Sequence, residues 1–149
     1  EIYDEDLRVL MGDKADSENG FYHLDYLHVN LGTTTIATAT VRVKSKNEFY
    51  EESATGDGPV DACFRAISRA INFQEKVKLE HYQVRSVSAG KGALGEVTTR
   101  LKILGTAYTG KGVSTDTIRA SAKSYLHALN HFESVKGMDG VFEKITETV

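Results

Sequence analysis

Two stretches of the chain alternate apolar and polar residues in the manner of half-buried β-strands. Residues 37–43 (ATATVRV) and residues 97–103 (VTTRLKI) each place a mostly apolar set at every second position. A strand-like run comes before each of them, at residues 22–31 and residues 79–88. A short run also follows each, FYEESA in the first half and TAY in the second. The pattern therefore predicts three strands in each half of the chain.

The period then changes to that of an amphipathic helix in both halves. The apolar positions after the first three strands are Val60, Phe64, Ile67 and Ile71, and those after the second three are Ile118, Ala122, Leu126 and Leu129. We expect the second helix to end near residues 130–132. The order predicts an α+β fold of two pseudo-symmetric βββα units, with antiparallel strands and the helices packed on one side. It excludes nucleotide-binding folds that alternate strand and helix.

The motif TGxG occurs twice, as TGDG at residues 55–58 and TGKG at residues 109–112, and we interpret each copy as the hinge between a strand and a helix. Such a turn can hold an anion, can pack a strand closely on a helix, or can mark a duplicated unit. Steric and capping roles are more common than ligand binding. Pro59 fits a first helical position, which makes Gly58 or Asp57 the predicted cap.

The second helix start offers Ser114 or Thr115 as its cap, with Asp116 behind it. Asp61 falls in the first turn of the first helix, where a negative charge suits the helix dipole.

Composition removes several classes of function. The chain has 149 residues and a net charge of −3, so it presents no general attraction for nucleic acid or an anionic membrane. No apolar run is long enough to span a bilayer. The single cysteine, Cys63, cannot form an internal disulfide and favours a reducing, cytoplasmic location. The chain starts without Met, at EIYDEDLRVLMGD, which we interpret as the start of a fragment of a longer protein.

No catalytic constellation emerges from the reactive residue types. Cys63 neighbours the apolar stripe of the first helix and is interpreted as a core residue. None of the histidines has the spacing of a metal site, so no metal or cofactor is predicted for this chain. They are His23, His28, His81, His127 and His131.

Three longer motifs resemble one known family. The runs ESATGDGPVDACFRAI and GKGVSTDTIRASAKSYLHALN resemble the two helix openings of the C-terminal regulatory domain of 2-isopropylmalate synthase and its close relative citramalate synthase. SVSAGKGALGEVTTRL is similar to the hairpin between them, and YDEDLRVLMGD resembles the end of the preceding helical linker. The resemblance implies a linker at residues 1–20, a regulatory domain at 21–135 with units 22–73 and 77–132, and a tail at 136–149.

The resemblance also implies a function. In that family the parent enzyme condenses acetyl-CoA with a 2-oxo acid in a metal-dependent catalytic barrel, which has no counterpart here. The regulatory domain forms a homodimer and binds the end-product amino acid as a feedback inhibitor. The implied effector-binding residues are Gly56, Gly58, Val60, Asp61, Leu79, Tyr82, Ser86, Ala93 and Val113.

Two end products are compatible with these positions. Small side chains at Ser86 and Ala93 favour L-leucine, and L-isoleucine with citramalate synthase is the alternative. The expected partners are the amino acid, a second copy of the chain and the catalytic domain of the same polypeptide. A purely structural dimerisation domain is the competing hypothesis, and an independent small enzyme is the least favoured.

Overall fold

The structure of the chain, a computed structural model, describes residues 21–88 and 93–147. The predicted linker at residues 1–20 and the turn at 89–92 lie outside this range. The described part contains six strands and two helices. They are β1 (His23–Asn30), β2 (Ala37–Ser45), β3 (Glu48–Gly56), α1 (Pro59–Ala70), β4 (Val77–Ser88), β5 (Ala93–Ile103), β6 (Thr106–Ser114) and α2 (Thr117–Glu147).

The strands form two antiparallel sheets in the orders β1-β2-β3 and β4-β5-β6. Helix α1 packs on the first sheet and α2 on the second, and the two helices also contact each other. The predicted α+β fold of two βββα units is therefore confirmed.

The third strands and the helix starts of the two units repeat with an offset of 58 positions, whereas the bulges of the two first strands lie 55 positions apart. Strand β3 and strand β6 have nine residues each, and both ends of β6 lie 58 positions after those of β3. The first strand of each unit also carries a bulge, between Leu24 and Tyr26 in β1 and between Leu79 and His81 in β4. Leu24 pairs with Val43 and Leu79 with Leu101. Equivalent positions can thus be read across the units.

The inner face of each central strand forms the core. The four alternating positions of residues 37–43 in β2 and the four of residues 97–103 in β5 are all buried, as the alternation predicts. Phe64 and Ile67 of α1 and Leu126 and Leu129 of α2 are buried against them, while Val60 at the start of α1 packs partly buried on the same cluster. Cys63 is fully buried, which confirms its interpretation as a core residue.

Three expectations about element ends are wrong. Helix α2 continues to Glu147 instead of ending near residues 130–132. Both third strands are nine residues long, not short. The second TGxG motif, TGKG, lies inside β6, and α2 begins only at Thr117. This motif is therefore not the hinge between a strand and a helix. By the 58-residue offset, the positions equivalent to Gly56 and Gly58 are Ser114 and Asp116.

Candidate functional site

The start of α1 lacks a side-chain cap. Gly58 is the N-cap residue, which confirms one of the two predicted alternatives, and its backbone is extended (φ −163°, ψ 179°). Pro59 is the first helical residue. A Cβ built on Gly58 would have no heavy atom within 4 Å, so the main chain here faces open space. A helix N-terminus in this state presents N–H groups and a positive dipole end to an anion.

Gly56 has a different role from Gly58. A Cβ at Gly56 would collide with the backbone nitrogen of Ala62 and lie 2.8 Å from Oδ2 of Asp61. The last residue of β3 must therefore be glycine because the strand runs directly against the first turn of α1. Close packing explains this glycine without a ligand.

The Asp61 carboxylate organises the first turn of α1. Its Oδ2 accepts hydrogen bonds from the backbone N–H of Asp57 at 2.9 Å and from Nε of Arg65 at 3.0 Å. The acidic group lies near the helix N-terminus, where the dipole favours negative charge. Arg65 follows one turn later, which leaves a fixed pair of opposite charges beside the uncapped turn.

A cavity of about 520 Å³ opens between α1, the first part of β4 and α2. Its apolar wall contains Phe64, Leu79 and Leu101, and it also includes the Tyr125 ring from α2. Charged groups of both signs lie among the remaining lining residues. The full lining is Thr55, Asp61, Phe64, Arg65, Ser68, Arg69, Glu75, Val77, Leu79, Leu101 and Tyr125.

Hydrogen bonds hold several of these lining groups in place. The Tyr125 hydroxyl lies 2.6 Å from Oγ of Ser68, and its ring stacks on Phe64 with the centroids 4.3 Å apart. Burial raises the pKa of Tyr125, so its hydroxyl stays protonated at neutral pH. Arg69 donates from Nη1 to the carbonyl oxygen of Ser53 at 2.9 Å. A small molecule with an apolar group and both charges finds complementary groups here.

The structure brings only part of the expected effector site to this cavity. Asp61 and Leu79 line it, and Leu79 is 48% exposed. Tyr82 lies behind the lining, with its ring edge-on to Phe64 at 6.5 Å and its hydroxyl 2.6 Å from Oγ of Ser121. Gly58 and Val60 lie at the helix start next to Asp61.

The remaining expected residues lie further away in the fold. Ser86 pairs with Gly95, and Ala93 pairs with Ser88, at the turn end of the β4–β5 hairpin, where Ser86 and Ala93 are both exposed. Val113 lies on β6 and lines a different cavity. These three positions stay a prediction that rests on the resemblance alone.

The second cavity is the counterpart of the first in the repeat. It has a volume of about 330 Å³, and its members Leu24, Lys123 and His127 are the equivalents of Leu79, Arg65 and Arg69. Among the described residues, its lining contains Lys111 and Lys123 and no carboxylate. The full lining is Tyr22, His23, Leu24, Lys111, Gly112, Val113, Lys123, Leu126, His127 and Asn130.

The start of α2 is capped by its own side chains. Oδ1 of Asp116 accepts from the backbone N–H groups of Ile118 at 3.0 Å and Arg119 at 3.4 Å. Asp116 is thus the cap instead of the predicted Ser114 or Thr115, and Oγ of Ser114 accepts from the N–H of Asp116 at 3.1 Å. An external anion would bind less favourably here than at the start of α1, because the N–H groups of Ile118 and Arg119 already donate to Asp116.

His127 in the second cavity is neutral at pH 7. Its Nδ1 accepts a hydrogen bond from the backbone N–H of Lys111 at 2.9 Å. Burial, assisted by the neighbouring His131 ring at a centroid distance of 4.3 Å, lowers the pKa of His127 to about 4. Lys111 and Lys123 therefore supply positive charge to the described lining of this cavity, and His127 does not.

Sequence reasoning missed most of the cavity lining. Asp61, Arg65 and Arg69 are spaced four apart on α1, so they share one polar face of that helix, and this spacing was the available signal. Glu75 and Tyr125 come from other parts of the chain, and no local sequence pattern predicts that they line this cavity.

Other classes of site receive no support from the described residues. Within residues 21–88 and 93–147, no three or more His, Cys, Asp or Glu side chains converge as metal ligands. The helices among these residues are too short or too polar to cross a membrane. The thiol of Cys63 has its pKa raised to about 12 by burial and by the Asp116 charge, so it is a poor nucleophile.

Comparison with known proteins identifies the family. The sequence profile of the LeuA allosteric (dimerisation) domain matches residues 1–133. The chain belongs to this family. Similar curated proteins are 2-isopropylmalate synthases from Heliobacterium modesticaldum (45% identity over 130 residues) and Carboxydothermus hydrogenoformans (44% over 131 residues). In both comparisons the match covers 87% of this chain and 25% of the relative.

A third 2-isopropylmalate synthase, from Nitrosomonas eutropha, is 41% identical over 134 residues, covering 90% of this chain and 26% of that protein. The chain thus spans about a quarter of the length of the curated relatives it matches. The family assignment agrees with the resemblance of the two helix openings, and it places this LeuA allosteric domain among regulatory and dimerisation domains.

Proposed function

We propose that this chain is the allosteric domain of a 2-isopropylmalate synthase, that it forms a homodimer, and that it binds L-leucine as a feedback inhibitor. The family description supports allostery and dimerisation, and the similar proteins carry that enzyme name. The acyl transfer from acetyl-CoA to 2-oxoisovalerate, its divalent metal and a cytoplasmic location belong to the proposed parent enzyme. The fragment alone is expected to have no activity.

The single observation that carries the proposal is the composition of the first cavity. An amino acid needs partners for a carboxylate, an ammonium and a side chain. The cavity offers arginines Arg65 and Arg69, carboxylates Asp61 and Glu75, and an apolar wall that includes Leu79. The uncapped turn at Gly58 adds N–H donors beside the Asp61 end. The volume of about 520 Å³ leaves room for a branched-chain amino acid.

Feedback inhibition requires more than binding. The amino acid must bind one conformation of the parent enzyme better than another, and the difference in affinity sets the size of the effect. L-isoleucine with citramalate synthase is the runner-up. We favour leucine because the similar proteins named above are 2-isopropylmalate synthases.

Isothermal calorimetry on the purified chain tests the proposal with L-leucine, L-isoleucine and L-valine. We expect heat of binding with leucine and weaker binding of the other two. Asp61→Asn should weaken leucine binding about tenfold, because it removes the negative charge next to the ammonium site while an amide oxygen still faces the N–H of Asp57.

Asp25→Asn is the matched control, since Asp25 is an exposed carboxylate paired with Arg42 on the outer face of the first sheet. Its leucine affinity should equal that of the wild type. If none of the three amino acids binds while sedimentation shows a dimer, the purely structural alternative replaces the allosteric one.

A further inference from the structure

The backbone of Tyr22, just before β1, is held by one side chain of α2. Oδ1 of Asn130 accepts from the N–H of Tyr22 at 2.9 Å, and Nδ2 of Asn130 donates to the carbonyl oxygen of Tyr22 at 2.9 Å. Asn130 is only 4% exposed, so either bond is costly to break without a replacement. We name this pair of bonds the Asn130 clamp. It connects two residues that are 108 positions apart in the sequence.

The clamp fixes the backbone immediately before β1. The two hydrogen bonds hold the peptide groups on both sides of Tyr22, so they define the position and the direction of the backbone there, which an apolar contact does not do. The Tyr22 hydroxyl adds a longer bond of 3.5 Å to Glu133, also on α2. A displacement of α2 must therefore either move the Tyr22 backbone with it or break these bonds.

The same helix forms part of the first cavity. Tyr125 lies on its wall, is 4% exposed, stacks on Phe64 and is bonded to Ser68 of α1. Tyr125 and Asn130 are five residues apart, which corresponds to about 7.5 Å along a helix axis. A ligand that touches Tyr125 is thus separated from the clamp by a short, rigid segment of α2.

We propose that α2 couples the amino-acid cavity to the start of β1, with Tyr125 as the sensing residue and the Asn130 clamp as the output. This inference rests on the proposed function for the identity of the ligand. A ligand that favours one position of the Tyr125 ring biases the position of α2, and the clamp transmits that bias to the Tyr22 backbone at the start of β1.

Amide hydrogen exchange at Tyr22, followed by NMR on the purified chain, tests the coupling without any ligand. Asn130→Leu removes both bonds and should accelerate exchange of the Tyr22 N–H strongly. Asn130→Asp retains the acceptor and should accelerate it less. Tyr125→Phe, which removes only the bond to Ser68, should change that rate by about threefold or more. Ser134→Ala, an exposed site on the same helix, is the control and should leave it unchanged.

Leucine forms the second arm of the experiment. In the wild type, saturating leucine should change the Tyr22 exchange rate, and in Asn130→Leu that effect should disappear while leucine still binds. The coupling is overturned if Tyr125→Phe leaves the Tyr22 rate unchanged, or if leucine binds without altering it. Absence of leucine binding would remove the proposed function, and the Tyr125→Phe result would still decide whether the cavity wall and the clamp are coupled.

Discussion

His127 shows how a single side chain can make the stability of this domain depend on pH. Its ring is buried among α2 and β6, accepts from the N–H of Lys111 and contacts the His131 ring. Protonation would place a charge in a buried position and would convert the acceptor Nδ1 into a donor facing another donor. Burial, together with the neighbouring His131, lowers the pKa of His127 from 6.5 to about 4.

We expect the free energy of unfolding to fall between pH 6.5 and pH 4. In this window the unfolded chain binds a proton at His127 and the folded chain does not, so acid favours unfolding. The loss attributable to His127 should be about 2 kcal/mol between about pH 7 and about pH 5. Urea unfolding at both values measures it.

His127→Asn is the comparison, because its amide oxygen can still accept from Lys111 and does not titrate. Carboxylates and other histidines also titrate in this range, so the difference between the two proteins isolates His127. Equal pH dependence in wild type and variant would contradict the assignment.

Where a strand packs against a helix in this domain, glycine allows close contact between the two backbones more than it forms a turn. A Cβ at Gly110 would collide with the backbone of Ser124 and Ala128, and one at Gly112 with the backbone of Ala120 and Ser124. Strand β6 thus lies against the main chain of α2 along a whole helical turn. This contact explains the second TGxG motif, TGKG, since close packing of a strand on a helix is one of the three roles such a motif can have.

Gly112→Ala should therefore destabilise the domain by about 1–3 kcal/mol, since an added methyl group must separate β6 from α2. Gly137→Ala should have the opposite sign and stabilise it by about 0.5–1 kcal/mol, because Gly137 lies within α2 with nothing within 4 Å of the added Cβ. Chemical unfolding of both variants at one pH measures the two effects. Loss of stability in Gly137→Ala, or none in Gly112→Ala, would contradict this account of the packing.

The pattern of apolar and polar residues predicts a strand or helix well where only one face of it is buried. Strands β2 and β5 were recognisable because their inward positions are apolar, with Thr99 the polar exception, and α1 because Phe64 and Ile67 keep a helical period. Glycine misled the pattern at β6, since a glycine required for close contact with a helix looks like a turn in the sequence. The cavity was only partly predictable, because Asp61, Leu79 and Tyr125 meet through tertiary structure.

Across the full domain, duplication has produced two related cavities with different chemistry. Each cavity combines the leucine next to the bulge in the first strand of one unit with basic residues on the helix of the other unit. Leu79 and Arg65 form this pair in the first cavity, and Leu24 and Lys123 form it in the second. Within residues 21–88 and 93–147, carboxylates line the first cavity and not the second, and α1 starts without a side-chain cap whereas α2 starts with one. The fold is nearly symmetric, whereas the charges that line the two cavities are not.

This asymmetry predicts one leucine bound per chain. The described lining of the second cavity presents Lys111 and Lys123 and no carboxylate, so an ammonium group would meet positive charge there. Asp116 already accepts from the N–H groups at the start of α2. Calorimetric titration should give a stoichiometry of one, and Lys123→Ala should leave the leucine affinity unchanged while Arg65→Ala weakens it. Two equal sites per chain, or equal losses in both variants, would show that the cavities remain functionally equivalent. In that case the difference in charge between them would have no role in selecting the ligand.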